Sequence, residues 1–187
     1  MIHLLAYTLA RALAILGGMV LLALILMVCA SIAGRALNSV LHGLDTPWAD
    51  ALIDLGVGAV TGDFELVEAG MAFAIFAFLP ICQLTGAHAT VDVFTNRLPP
   101  RMLTALKAVI EIGFAVILIL ITWRLFEGME SKLRSGQTTF LIQFPVWWPY
   151  AGGLIGAGAA SLIAVYVAAF RCAEAATGRS YLPEQEA

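Results

Sequence analysis

The chain has 187 residues, 61% of them hydrophobic and 12% charged, with a formal net charge of -3. Soluble domains run at roughly 45–50% apolar and about 25% charged residues, so this composition points to a membrane and not to a water-filled compartment. Its ten basic residues form no cluster, which leaves no electrostatic footprint for nucleic acid and excludes that partner class. Cys29, Cys82 and Cys172 lie far apart without a C-x-x-C spacing, so neither a zinc site nor a disulfide framework is indicated, and Cys29 and Cys82 read as packing residues.

The apolar residues fall into four long blocks. They predict an all-α integral membrane protein with four transmembrane helices plus a short interfacial amphipathic helix between the first and second. One four-helix membrane domain is expected over residues 1–176, with spans at about 13–33, 66–85, 103–123 and 146–170, followed by a disordered cytoplasmic tail over 177–187.

Arg11 followed by an apolar run and then Ala30, Ser31 and Ala33 imitates a secretory signal peptide. The uncharged run from Ala12 to Gly34 exceeds the roughly 7–15 residues of a signal core, so it is read as a retained span. The connection from Arg35 to Asp63 holds one base against four acids, Asp45, Asp50, Asp54 and Asp63, which suits an outer face. Within it, Thr46-Pro47 is a good helix start, and helical spacing puts Trp48, Leu52 and Leu55 on one face with Asp50 and Asp54 on the other. That acidic face argues against anionic lipid and leaves a protein neighbour or a plain surface helix.

Intramembrane carboxylates are costly and are the first place to seek function. Glu65 and Glu68 stand one turn apart at the outer end of the second span. They are expected either to reach water or a base such as Arg35, Lys132 or Arg134, or to make a fixed polar contact with a partner subunit. Pro80 has no N–H for the carbonyl of Phe76, so a kink is expected there, with Gln83 available to satisfy freed backbone or to cap a partner contact. Beyond this span, His88 and Asp92 are close enough to hydrogen-bond if the loop is helical, a more natural pair than a metal site. In the third span Lys107 precedes Glu111 by four residues, the spacing of an ion pair on one helix face. The fourth span opens after Phe144-Pro145 and carries Gly152 and Gly156 in a G-x-x-x-G pattern with Gly153, Ala157 and Ala160 nearby, a helix-packing face.

Six basic residues on the side of the termini against four on the other place both termini in the cytoplasm by the positive-inside rule. No spacing of a serine nucleophile, zinc motif or phosphate-binding loop is present, so no enzyme is expected. His3 and His42 lie outside the spans and His88 follows one, so no bis-histidine haem site can be drawn; no cofactor and no metal are expected. An autonomous small exporter or channel and a redox-enzyme membrane anchor stand as alternatives to a non-catalytic transporter subunit. An exporter would be expected to place its essential carboxylate inside the bundle, whereas these acids sit near the ends.

Several stretches, taken together, carry a resemblance: Gly62-Asp63-Phe64-Glu65 through Leu79-Pro80-Ile81-Cys82-Gln83, Gly86-Ala87-His88-Ala89-Thr90-Val91-Asp92, and Leu98-Pro99-Pro100-Arg101. Gly136-Gln137-Thr138-Thr139 leading to Phe144-Pro145-Val146-Trp147-Trp148-Pro149-Tyr150 adds a second match. In order and spacing over most of residues 1–171, the chain resembles the DctQ-type small membrane subunit of TRAP transporters. The resemblance implies a non-catalytic inner-membrane subunit that scaffolds a large membrane subunit holding the solute and sodium sites, while a periplasmic solute-binding protein delivers an organic acid or similar solute. Glu65, His88, Asp92, Pro145, Trp147 and Tyr150 match motif positions of the family and are expected, with Glu68, to be structural or partner-interface residues. The Arg35–Asp63 connection is longer than in many family members.

Overall fold

The computed structural model of the protein describes residues 2–44, 46–86 and 99–177. His88, Asp92 and the tail beyond Thr177 therefore lie outside the described residues, while Thr177 itself closes the last helix. Five helices follow in order: α1 (Ile2–His42), α2 (Pro47–Asp54), α3 (Asp63–Thr85), α4 (Pro100–Ser135) and α5 (Trp147–Thr177). Four of them, α1, α3, α4 and α5, are long and apolar enough to cross a membrane, and α2 is the short helix between the first two. At 1.5 Å per residue α1 is about 60 Å long, roughly twice a hydrocarbon core. It continues past the apolar stretch 13–33 in both directions, and its last turns serve as a platform for the first connection.

Helix α5 is the hub. It packs on α3 and on α4, α3 also packs on α1, and α1 scarcely reaches α5. The reason lies in the side chains. Between helices in lipid there is no hydrophobic driving force, so close association depends on small residues that let backbones approach. Ala157, Ala160 and Ala164 of α5 are fully buried. Ala160, Ala164 and Ala168 receive Ala115 and Leu118 of α4 on one side, and Ala159 meets Ala77 of α3 and Leu13 of α1 on another. Near the termini, Ala10 of α1 closes against Ile163 and Val167. The outward faces of α1 and α4 carry large apolar side chains, among them Leu22, Leu26, Ile117 and Leu120. Cys29 also faces outward and does not pack in the interior.

The G-x-x-x-G face is used within the chain, against α3. A methyl group placed on Gly156 would lie 2.6 Å from both the carbonyl carbon and the oxygen of Phe76, whereas one on Gly152 would meet the Phe73 ring at 3.4 Å, an ordinary contact. Phe76 is the residue whose carbonyl loses its helical donor to Pro80, itself fully buried. The freed carbonyl thus sits against the one face of α5 without a side chain. Gly156→Ala is expected to lower stability by about 1–3 kcal/mol, the usual range for overpacking against an unyielding backbone. Gly158→Ala, where the added methyl meets nothing within 4 Å, should be neutral or slightly stabilising through helix propensity. Thermal unfolding of the two variants in detergent checks the contrast, and equal melting temperatures would remove Gly156 from the α3–α5 crossing.

The first connection is bound down onto α1. Ser31, fully buried, donates to Asp63 at 2.6 Å and accepts from the backbone N–H of Val60 at 3.2 Å. Arg35 reaches the same Asp63 oxygen at 3.0 Å, and Asn38 donates to the Val57 carbonyl at 2.6 Å. Helix α2 begins at Thr46-Pro47 as its residues demand, but it turns Ala49 inward. Trp48 and Leu55, expected on its apolar face, are both exposed. The small residue wins because it lets the short helix lie close to its neighbours, and Trp48 is left outside.

Candidate partner-docking site

The end of the molecule where α3 begins is organised by the α4–α5 loop. Helix α4 stops at Gly136, whose left-handed backbone (φ 62°) ends the helix without the steric cost of a Cβ. The chain then folds back on itself as a small hairpin. Thr138 pairs antiparallel with Pro145, the N–H of Thr139 donates to the Phe144 carbonyl at 2.9 Å, and the N–H of Val146 donates to the Gln137 carbonyl at 3.0 Å. Thr139 Oγ1 accepts from the N–H of Phe144 at 3.2 Å. The tip turns through Gln143, whose φ of 57° is uncommon for a residue with a side chain.

Glu65 holds this tip. Its Oε1 accepts the backbone N–H of Leu141 at 2.7 Å and its Oε2 that of Ile142 at 3.0 Å, so both oxygens are committed to a loop 76 residues away. Ile142 in turn lies over Gly62, where a side chain would overlap it. Pairing of Glu65 with a base is therefore not what the structure shows, because two backbone donors already occupy the carboxylate. The four bases of this end are themselves engaged: Arg35 with Asp63 at 3.0 Å, Arg124 with Glu127 at 2.9 Å, Arg134 with Glu130, and Lys132 with the Gln137 side chain at 2.7 Å.

Glu65 and Glu68 enter the wall of one cavity of about 400 Å³ between α3, α4 and α5, with Phe76, Leu125, Phe144 and Tyr150 among its other lining residues. The Tyr150 ring occupies the space beside Gly128 of α4. A second cavity of about 530 Å³ lies on the α1 side of α3, lined by Val20, Phe73, Ile142 and Trp148 and by no charged residue. Of the motif residues, Glu65, Glu68 and Tyr150 come together at the first cavity. Pro145 belongs to the hairpin, and its carbonyl accepts the N–H of Trp148 at 3.1 Å as α5 begins. Trp147 lines neither cavity and stands edge-on to Trp148, ring centres 6.3 Å apart.

The opposite end holds a second polar cluster. Gln83 of α3 is 1% exposed and donates its side-chain amide to Glu111 of α4. Among the described residues Glu111 makes no ion pair with Lys107, which is exposed; the cation whose charge bears on it is Arg171 of α5. Arg171 donates to Glu174 at 2.8 Å, and both are buried. An i, i+4 spacing places Lys107 within reach, yet three helices converging on Glu111 offer a donor and a cation in the interior, while the Lys107 head remains free to reach toward the surface.

The comparison with known families decides what kind of protein carries this arrangement. Residues 24–175 match the family of tripartite ATP-independent periplasmic transporters, DctQ component. The chain belongs to this family. No curated protein and no solved structure matches it. The matched segment of this DctQ component runs from the middle of α1 to the last turns of α5 and includes Glu65, Glu68, the hairpin, Gln83, Glu111 and Arg171. A DctQ component with four apolar helices long enough to cross a bilayer is a multi-pass membrane component of a transporter.

Phe76 and Phe144 of the cavity wall, and the Gln83–Glu111–Arg171–Glu174 cluster, were not singled out together by residue spacing. One signal was available for the cluster: Arg171 and Glu174 are i, i+3 partners, and Gln83 and Glu111 are the polar residues at matching depth in two adjacent spans.

Proposed function

We propose that this DctQ component is a non-catalytic scaffold for a large membrane subunit of a TRAP transporter. That subunit performs sodium-driven uptake of an organic acid or similar solute delivered by a periplasmic binding protein. The observation that carries this reading is how the charged groups in and beside the spans are used. Glu65 holds a loop, Asp63 holds the first connection, Glu111 of α4 accepts from Gln83 of α3, and Arg171 pairs with Glu174 within α5. Groups committed to fixed internal contacts give a rigid panel and not a path for ions or solute. The apolar outward faces of α1 and α4 supply surface for lipid and for a large neighbour. In this reading the protein lies in the bacterial inner membrane with both termini cytoplasmic, and the Glu65 end faces the periplasm, where the binding protein docks.

Mild-detergent purification of the tagged chain from its native membranes, with partners identified by mass spectrometry, tests the proposal. A stoichiometric multi-span subunit is the expected result. A chain that purifies alone and moves solute in liposomes would replace the scaffold with an autonomous exporter.

A further inference from the structure

We propose that the cavity beneath the α4–α5 hairpin receives an arginine or lysine side chain of the large membrane subunit, with Glu68 as its counter-ion. The inference rests on the scaffold reading and names one contact within it. Glu68 is the sixth residue of α3, about 8 Å along the helix from Asp63. Its side chain is exposed in the isolated chain, and a carboxylate on a membrane-spanning helix is costly where lipid or a neighbouring subunit, not water, covers it, unless it is paired. Among the described residues it has no hydrogen bond and no ion pair, and its side chain lines the cavity. Glu65, the other acid in the wall, has both oxygens occupied by backbone N–H groups. Arg35, Arg124, Lys132 and Arg134 are each engaged elsewhere. Among the described residues at this end no cation is left for Glu68, so a neighbouring chain is the source of a counter-ion for it.

The walls say what carries it. Phe76, Phe144 and Tyr150 present aromatic surface to the cavity, the setting in which a guanidinium or ammonium gains cation–π attraction as well as a carboxylate partner. Leu125, Val146 and Pro149 offer apolar surface to the methylene stem of the same side chain. A lipid tail finds a better seat in the second cavity, where no charge stands in the wall.

The test uses the whole transporter purified through a tag on this chain, comparing wild type with Glu68→Gln and Glu68→Lys. Recovery of the large subunit is expected to fall about tenfold for Glu68→Gln and further for Glu68→Lys, as loss and then reversal of a charge pair demand. The melting temperature of each isolated variant should stay at the wild-type value. Glu68→Gln, nearly isosteric, keeps the test decisive if the lysine variant fails to fold. Undiminished recovery with Glu68→Gln overturns the inference while leaving the scaffold reading intact. Absence of the large subunit from the wild-type preparation overturns the scaffold reading itself. Undiminished recovery together with loss of a bound phosphatidylethanolamine, seen by native mass spectrometry, would give the cavity to a lipid amine and overturn the proposal.

Discussion

Glu65→Ala is expected to reduce solute uptake by the assembled transporter about tenfold or more, because it deletes both charge-assisted acceptors that hold the α4–α5 hairpin tip. The four long helices should stay folded, since their packing rests on α5 and its alanines and not on this carboxylate. What should change is the order of the tip. The Leu141 and Ile142 amides would lose their acceptor, and with it the geometry of the hairpin that covers the Glu68 cavity. Glu65→Gln should fall between the two, because an amide presents one oxygen to two N–H donors while its own NH₂ faces the second of them. Hydrogen exchange resolved over residues 137–146, read beside uptake, checks the cause. Faster exchange there with reduced uptake is the expected pair. Unchanged exchange would show that the loop is held by its own backbone pairing, and normal uptake would take the hairpin out of the transport cycle.

Much of this architecture is legible in the residues because the bilayer is a strict solvent. Long uncharged runs have to be helices, and Thr46-Pro47 marks a helix start through backbone chemistry that holds in any context. The four long helices, the short α2 and the family all follow from features of that kind. Partner choice inside the molecule does not. Glu65 was expected to find a base or another subunit, yet backbone donors from a hairpin 76 residues away reach it first, and no spacing rule encodes that return. Lys107–Glu111 has the right local spacing but loses to Gln83 and Arg171, because tertiary convergence of α3, α4 and α5 supplies partners where the carboxylate lies. Helix α2 shows the same limit on a smaller scale. Its periodicity names two faces, and the closeness allowed by Ala49 decides which is turned in.

The cluster at the other end should give the largest loss of stability. Arg171→Leu removes the buried cation that bonds Glu174 and whose charge bears on Glu111, and removing a partner from a buried charge typically costs about 3–5 kcal/mol. The double variant Arg171→Leu/Glu174→Leu should recover part of that loss, because it removes a buried carboxylate together with its cation. Adding Glu111→Leu and Gln83→Leu should recover more, since a polar network replaced entirely by apolar groups is often near neutral. Thermal unfolding of this series in detergent tests the order: the single arginine variant lowest, the fully apolar variant above it. A single variant no less stable than the fully apolar one would mean that the charges are solvated independently and that α3, α4 and α5 are held by their small residues alone. The expected order would instead make this cluster the clamp fixing the relative positions of the three helices. Because the same helices line the Glu68 cavity at the far end, loosening the clamp should also weaken recovery of the large subunit, although no residue of the clamp lines that cavity.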